Sequence, residues 1–338
     1  MSVGGYAAAR SELHRLVNGY QVSQALHVVA ALGIPDRLAN GPCSSQDLAA
    51  VVGASDGPLY RLLRAVAAIG VLEELPGRRF ALTEVGEGLR SDVPGSLAGW
   101  AAFVGRGYYW AAWSRLIDGV RTGGHAFRLE HGIDPWTYRQ THPEEIPVFN
   151  RAMNSISGQV ADSLAAAYDF SQFRTIVDVG GGGGALIAAI LCRYPGVRAV
   201  LFDLPDVVGD ARGFIEQAGF TARCELVGGS FFDSVPAGGD AYLLKSVLHD
   251  WYDADVKRIL QVCHAAMRPD AVLLVIERLL APPNEGAEDK LEDLNMLVAA
   301  GGCERTTEEW GAALRAGGFD RRGITLVHGS ALIEAARI

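Results

Sequence analysis

Five consecutive glycines at the end of an apolar run constrain this 338-residue sequence more than any other feature. The run 175–179 is mostly β-branched, and an apolar, helix-forming run, 185–192, directly follows the glycines. Gly180, Gly182 and Ala185 have the G-x-G-x-x-G/A spacing, in which missing side chains let a ligand approach the backbone. The stretch therefore predicts a strand, a tight turn and the start of a helix beside a ligand crevice.

A second predicted strand ends at the same crevice. Its apolar run, 199–202, stops at Asp203, about 20 residues beyond the glycines, where a nucleotide site needs an acid for the ribose hydroxyls. Asp178 stands inside the first strand, and a buried carboxylate is costly unless it is hydrogen-bonded. We expect Asp178 to hold the glycine loop or to face the ligand. For the glycine motif taken by itself, a turn that binds no ligand stays an alternative.

Composition and charge argue against several classes of protein. With 30 basic and 39 acidic residues, the net charge of −9 disfavours a nucleic acid as partner. No run of 18 apolar residues exists, and charged residues occupy the start of the chain, so we expect a soluble, cytoplasmic protein with no membrane partner. The five cysteines and eight histidines lack the spacing of disulfide frameworks or metal sites, and no metal is predicted.

The first 95 residues predict a winged helix. Apolar residues at helical spacing predict helix from residue 1 to about 33, and further helices are predicted over 45–52 and 59–70. Two short strands joined through Pro76 and Gly77 follow. Between Met1 and Arg90, eight basic residues balance eight acidic ones. DNA binding depends largely on phosphate neutralisation, so an interface is favoured over a DNA-binding regulator.

The rest of the chain predicts linker helices over 96–160 that contribute to a substrate pocket, and a ligand-binding domain over 161–338. In this domain strand and helix signals alternate, which is typical of a parallel, doubly wound α/β sheet. Only three residues separate the last two predicted strands, 324–328 and 332–336, which predicts a hairpin with one antiparallel strand. After the fourth strand, His249 is a candidate general base, with a surface-loop histidine as the alternative. Asp253 is expected to cap the next helix.

Taken in order, the motifs resemble those of the S-adenosylmethionine-dependent O-methyltransferases of the plant caffeic-acid and bacterial antibiotic-tailoring type. They are VDVGGGGG, FDLPDV, GGSFFDSVP, KSVLHDWYD, VIE at 275–277 and GGCERTTEEW at 301–310. The resemblance covers nearly the whole chain. It implies a Rossmann-like, seven-stranded, mostly parallel catalytic domain, a helical winged-helix dimerisation domain and a homodimer. It also implies S-adenosylmethionine as cofactor, with S-adenosylhomocysteine as product.

The resemblance also implies roles for individual residues. His249 falls on the catalytic base, and Glu277 and Glu304 fall on the carboxylates that hold its ring. The implied cofactor-binding residues are Gly180, Gly182, Asp203, Leu204, Ser230, Phe231, Phe232, Lys245, Trp251 and Ser157. The predicted substrate-binding residues are Phe149, Met153 and Asn154, which share with Ser157 one face of the helices predicted over 136–167, together with Asp250, Asn295 and Met296. Two positions depart from the plant pattern: Ser230 replaces the aspartate that binds the adenine amine, and Cys303 replaces a lysine.

The implied chemistry is consistent with these residue types. A phenol with a pKa of about 10 is mostly protonated at neutral pH, and an imidazole with a pKa of about 6.5 can accept its proton. Flanking carboxylates fix the imidazole tautomer and stabilise the imidazolium. We therefore expect O-methylation of an aromatic or polyketide-type small molecule in natural-product biosynthesis. The alternatives are a family member with a changed reaction, such as hydroxylation or ring formation, and a winged-helix regulator that senses S-adenosylmethionine.

Overall fold

The protein is described from a computed structural model, which covers residues 3–327 and 329–338. By contacts within the chain it divides into two compact units, one ending at Trp110 and the other beginning at Ala111. Within the described residues, no helix is long and apolar enough to span a membrane.

The first unit is mainly helical, with a small three-stranded antiparallel sheet of order β1-β3-β2. Its elements are α1 Val3–Val17, α2 Gly19–Ala31, α3 Ile34–Leu38, β1 Cys43–Ser44, α4 Ser45–Val52, α5 Asp56–Ala68, β2 Leu72–Leu75, β3 Arg79–Leu82, α6 Glu84–Glu87 and α7 Ala98–Val104. The predicted helix–turn–helix and two-stranded wing are confirmed, and β1 adds the third strand. The helix predicted from residue 1 to about 33 is two helices that meet at Asn18. Met1 and Ser2 lie outside the described residues.

Apolar side chains cover part of the outer surface of α1 and α2. Leu16 is 60% exposed and Tyr20 is 53% exposed, although leucine and tyrosine usually bury most of their surface. The other large exposed hydrophobic residues of these two helices are Leu13, Val17, Val22 and Val28. Exposed apolar patches of this kind mark surfaces that bind another protein or membrane.

Helices precede and surround the sheet of the second unit. They are α8 Gly107–Ser114, which crosses the division between the units, α9 Leu116–Thr122, α10 Ala126–His131, α11 Pro135–Thr141, α12 Ile146–Ala167, α13 Ala185–Arg193, α14 Pro205–Gln217, α15 Asp253–Ala266, α16 Ala287–Asn295 and α17 Thr307–Ala316. A π-helical turn, Met296–Ala300, continues α16.

The sheet of the second unit has seven strands in the order β6-β5-β4-β7-β8-β10-β9. They are β4 Thr175–Val179, β5 Arg198–Asp203, β6 Cys224–Gly228, β7 Ala241–Lys245, β8 Val272–Glu277, β9 Phe319–Val327 and β10 Ser330–Arg337. Strands β4 to β8 pair in parallel, and β10 is antiparallel to both β8 and β9. The predicted mostly parallel sheet with a C-terminal antiparallel hairpin is confirmed.

Successive residues of the central strands enter different cores, because side chains alternate across a strand. Ile176 packs in one buried cluster and its neighbour Val177 in the other. Leu243 and Leu244 divide in the same way. Helices therefore cover both faces of the sheet, as parallel sheets require, and the carboxyl ends of β4, β5, β7 and β8 are left at one edge.

Two local predictions need correction. Strand β9 begins at Phe319, five residues before the predicted start at 324, because its first part pairs with the end of β10; the predicted last residue, His328, lies outside the described residues. Asp253 does not cap α15. The N-cap is Tyr252, without a side-chain hydrogen bond, and Asp253 instead pairs with Arg305 at 2.8 Å.

Candidate active site

The glycine loop after β4 is built on left-handed backbone. Gly180, Gly182 and Gly184 have φ values of 72°, 56° and 83°, which residues with a Cβ rarely adopt. The N–H of Gly180 donates to the carbonyl of Phe202 at 2.8 Å, so the loop is joined to the end of β5. A Cβ at Gly182 would meet nothing within 4 Å, which leaves this part of the backbone open to a ligand.

The two remaining glycines of the run are required by close packing. A Cβ at Gly181 would lie 2.7 Å from a carboxylate oxygen of Asp178, and one at Gly183 would lie 2.1 Å from Oδ1 of Asn154. Asp178 thus packs under the loop, and Asn154 brings α12 against it. Burial raises the pKa of Asp178 to about 7, although the charge of Lys245 lowers it.

Asp203 is held at the end of β5 by the loop it faces. Its carboxylate accepts N–H groups from Gly182 at 2.8 Å and from Leu204 at 2.7 Å. Burial raises the pKa of Asp203, while these hydrogen bonds lower it. Each carboxylate oxygen has two acceptor positions, so both oxygens can still accept from hydroxyl groups. The Leu204 side chain beside it is exposed.

Lys245, the last residue of β7, points toward α12. Its Nζ donates to Oγ of Ser157 at 3.1 Å and to Oγ of Ser246 at 3.5 Å. Burial lowers the pKa of Lys245, while Glu277 and Asp178 raise it. The structure therefore brings the predicted residues Ser157 and Lys245 together.

Three aromatic rings form a cluster beside the loop. Trp251 packs edge-on against Phe232 at 4.7 Å and against Phe231 at 6.0 Å between ring centroids. A Cβ on Gly180 would lie 3.8 Å from Phe231, which places that ring at the loop. The Oγ of Ser230 accepts the N–H of Phe232 at 3.2 Å, and one acceptor position and the hydroxyl proton remain.

His249 is positioned by the end of β7 and by Glu277 at the end of the neighbouring strand β8. Ser246 has a φ of 53° and turns the chain sharply after the strand. The turn directs the N–H groups of Val247 and Leu248 to Oε1 of Glu277, at 3.1 Å and 2.9 Å. The second oxygen of Glu277, Oε2, lies 3.5 Å from Nδ1 of the His249 ring.

Glu304 makes the direct hydrogen bond to the imidazole. Its Oε1 lies 2.8 Å from Nδ1 of His249, so the ring orients Nε2 away from both glutamates. The backbone N–H of Glu304 donates to Asp293 at 2.9 Å, and the neighbouring Arg305 binds Asp253. Both glutamate side chains are fully buried, and the Oε2 atoms of Glu277 and Glu304 have no hydrogen-bond partner among the described residues.

The pKa of His249 is not the ordinary value that we expected. Burial lowers this pKa, but the charges of Glu277, Asp250 and Glu304 outweigh burial and raise it to about 10. Burial also raises the pKa of Glu277, to about 7. The carboxylates around His249 therefore shift its pKa upward from the ordinary value of about 6.5.

His249, Glu277 and Glu304 also form a group that could hold a metal ion. Each offers one donor atom, and the three atoms lie within 4.8 Å of one another. A cation here would have to displace the proton that joins the imidazole to Glu304. We keep the prediction that no metal binds.

The predicted substrate residues lie on three elements. On α12, Phe149 packs edge-on against Trp136 at 6.1 Å, and Met153 and Asn154 follow on the same helix. Asp250 places Oδ1 3.7 Å from Nε2 of His249. Asn295 and Met296 are buried where α16 widens into its π-helical turn, just beyond Asp293.

Sequence reasoning missed four residues that the structure brings to this region. Trp136 stacks on Trp251 at 5.9 Å, and Arg139 is buried beside it. Asp293 and Arg305 hold the segment of Glu304. The spacing of Trp136 and Arg139, three residues apart on a short helix, indicated a shared face, but nothing in the local pattern indicated that the arginine is buried.

The family comparisons agree with this geometry. A profile described as the O-methyltransferase domain matches residues 113–320, and one described as the O-methyltransferase dimerisation domain matches residues 14–92. The chain belongs to this O-methyltransferase family. The predicted recognition, fold class and enzyme class are thereby confirmed, and the first unit corresponds to the dimerisation domain of the family.

Individual relatives of this O-methyltransferase include tailoring enzymes of bacterial natural products. It is 40% identical to the mitomycin biosynthesis 6-O-methyltransferase of Streptomyces lavendulae, over 93% of this chain and 90% of that one. It is 38% identical to the 8-amino-8-demethylriboflavin N,N-dimethyltransferase of Streptomyces davaonensis, over 94% and 92% of the two chains. Among solved structures, human N-acetylserotonin methyltransferase in complex with S-adenosylmethionine superposes with a TM-score of 0.89, at 30% identity and 97% coverage of each chain.

Proposed function

We propose that this S-adenosylmethionine-dependent O-methyltransferase methylates a phenolic hydroxyl of an aromatic or polyketide-type natural product, with His249 as general base. The observation that carries the proposal is the 2.8 Å hydrogen bond between Glu304 and Nδ1 of His249, which leaves Nε2 for a substrate. This arrangement of an imidazole oriented by a carboxylate is the one that general-base catalysis uses. A merely structural histidine would not need two buried glutamates.

The residues at the glycine loop fit the cofactor. The open backbone at Gly182 and the carboxylate of Asp203 suit a nucleoside whose ribose hydroxyls donate hydrogen bonds. Phe231 and Trp251 offer aromatic surfaces for an adenine ring, and Lys245 offers a cation for a carboxylate. When bound, S-adenosylmethionine supplies a methyl group already activated by a sulfonium. The protein must therefore supply mainly alignment and removal of the hydroxyl proton.

The raised pKa of His249 suits a phenol. A phenol has an ordinary pKa of about 10, and that of His249 is raised to about 10. With matched values the transfer itself costs little free energy, but only the neutral imidazole can accept the proton at Nε2, so the rate should rise as the pH approaches this pKa. The carboxylates of Glu277 and Glu304 then stabilise the imidazolium while the phenolate oxygen reacts.

Further expectations from the sequence complete the proposal. The enzyme is a homodimer through residues 1 to about 95, supported by the dimerisation-domain match and by the exposed apolar side chains of α1 and α2. It uses no metal, binds no nucleic acid, and works in the cytoplasm. Residues 96–160 contribute to the substrate pocket, and residues 161–338 form the catalytic domain.

Methyl transfer from S-adenosylmethionine to a panel of phenols tests the function. We expect a methyl ether by mass spectrometry, and the same rate after dialysis against a chelator. Anilines with the same ring substituents as the phenols test whether this enzyme also methylates amines, as the name of the 8-amino-8-demethylriboflavin N,N-dimethyltransferase indicates for that relative. Methylation of the anilines alone, or a hydroxylated or cyclised product, would refute O-methylation.

A further inference from the structure

Arg139 is a buried cation that the proposed chemistry does not use. It lies in α11, and only 8% of the residue is exposed. A guanidinium keeps its charge at every working pH, so its burial requires groups that replace the lost hydration. The contacts of Arg139 therefore indicate which chemistry this side of the site can bind.

Two aromatic rings cover the guanidinium. Its central carbon lies 3.7 Å from the ring centroid of Phe149 and 4.5 Å from that of Trp136. Stacking on aromatic rings is a favoured contact of guanidinium groups, and it fixes the guanidinium plane. The five N–H donors lie in that plane, and a carboxylate can accept two of them at once.

The same aromatic surface leads to the reacting end of the base. Trp136 stacks on Trp251 with an interplanar angle of 16°, and Trp251 follows Asp250 in the chain. Burial raises the pKa of Asp250, whereas the charges of His249 and Arg139 lower it. Arg139 therefore lies near enough to act on the charge of Asp250, whose Oδ1 is 3.7 Å from Nε2 of His249.

The charges around His249 make this cation important for substrate choice. The carboxylates of Glu277, Asp250 and Glu304 all act on the imidazole. A substrate with its own carboxylate would be repelled by these groups, since like charges in a site of low dielectric interact strongly. Arg139 supplies the opposite charge on the α11 side.

We propose that Arg139 is an anion subsite, which binds a ring carboxylate of the aromatic substrate while the hydroxyl of that substrate faces His249. The inference rests on the proposed function, because it names a substrate class for the same site. The competing explanation is that Arg139 only compensates the nearby carboxylate of Asp250 and the buried Glu145, and contributes to folding. The two explanations differ in whether Arg139 changes the choice between substrates.

Calorimetry with three catechols, in the presence of S-adenosylhomocysteine, tests the subsite. The probes are 3,4-dihydroxybenzoate, its neutral amide 3,4-dihydroxybenzamide, and unsubstituted catechol. We expect the wild-type enzyme to bind the acid about 10- to 100-fold more tightly than the amide, the range for a charge-assisted hydrogen bond. In Arg139→Gln this preference disappears, while the affinities for the two neutral probes change by less than about twofold. Arg139→Lys keeps the positive charge but lacks the paired N–H donors of a guanidinium. It should therefore retain part of the preference for the acid over the amide.

Arg151→Gln is the matched control, because Arg151 is an exposed arginine of α12 and its loss changes the net charge equally. It should bind all three probes as the wild type does. Equal loss of affinity for all three probes in Arg139→Gln, or a wild-type enzyme that fails to prefer the acid, would overturn the subsite. Since the readout is binding, a missing methyl-transfer activity would refute the proposed function without affecting this result.

Discussion

Glu277 contacts both the backbone that carries His249 and the imidazole itself. Oε1 accepts the N–H of Leu248, the residue before His249, at 2.9 Å, and Oε2 lies 3.5 Å from Nδ1. A single carboxylate thus sets where the histidine stands and how strongly it holds its proton. Mutation of Glu277 would therefore change the position and the basicity of the histidine together.

His249→Ala should lower kcat by about 10² to 10⁴, the usual cost of losing a positioned general base. Affinity for S-adenosylhomocysteine should stay nearly unchanged, because the glycine loop and Asp203 do not contact this ring. The rate of the variant should rise with pH as solvent deprotonates the phenol. Near-wild-type turnover at neutral pH would show that His249 is not the base.

Glu304→Gln should move the pH profile of kcat/KM to lower pH. The Glu304 carboxylate raises the pKa of His249, so its removal lowers that pKa. A proton acceptor works only above its pKa, and the rising limb therefore begins earlier, with a smaller loss of kcat than in His249→Ala. Glu308→Gln, at an exposed glutamate of α17, is the control and should leave the profile in place. A shift to higher pH in Glu304→Gln would contradict the assignment.

Asp203→Ala should weaken S-adenosylhomocysteine binding at least tenfold, or about 1.4 kcal/mol. The variant loses an acceptor for the ribose and the anchor for the Gly182 N–H. Asp203→Asn keeps one acceptor oxygen and should lose less. Titration calorimetry measures both, and an unchanged affinity in Asp203→Ala would refute the ribose contact.

Gly302→Ala should lower kcat by about 10²-fold, the effect of displacing a catalytic group by about 1 Å. A Cβ at Gly302 would lie 2.0 Å from the carbonyl oxygen of His249, and the backbone of that residue would have to move. Gly323→Ala is the control, since a Cβ there meets nothing within 4 Å. Equal activities of the two variants would show that the His249 backbone tolerates the shift.

Leu16→Asp should convert the dimer to a monomer at micromolar concentration, as measured by sedimentation velocity. The substitution places a charge on the apolar surface of α1, and a buried unpaired charge is costly. Ser11→Asp, at an exposed polar position of the same helix, should leave the dimer intact. A monomeric wild-type chain would disprove dimerisation through this unit.

The sequence predicted the parts of the site that strand ends determine. The glycine run, Asp203, Lys245 and Glu277 each follow or end a strand, and the carboxyl ends of parallel strands meet at one edge of the sheet. The order of strands and helices along the sequence was therefore enough to predict that these residues lie close together. The motif resemblance added the roles of Glu277 and Glu304 as partners of His249, which no periodicity could show.

Properties that depend on burial could not be predicted in this way. The raised pKa of His249 comes from buried carboxylates brought beside it from positions 28 and 55 residues away. Asp253 looked like a helix cap because local patterns cannot show Arg305, which binds it. The burial of Arg139 likewise results from packing between α11 and α12.

Helix α12 contacts both ends of the catalytic machinery. Phe149 covers the guanidinium of Arg139, Asn154 packs on Gly183, and Ser157 binds Lys245. One helix thus contacts both the proposed acceptor subsite and residues proposed to hold the cofactor. Any displacement of this helix by one ligand changes the affinity for the other, and thermodynamic reciprocity makes that coupling equal in both directions. If the bound acceptor displaces α12, the two substrates bind cooperatively, and a redesign of the acceptor range along this helix also changes how tightly the enzyme holds the methyl donor.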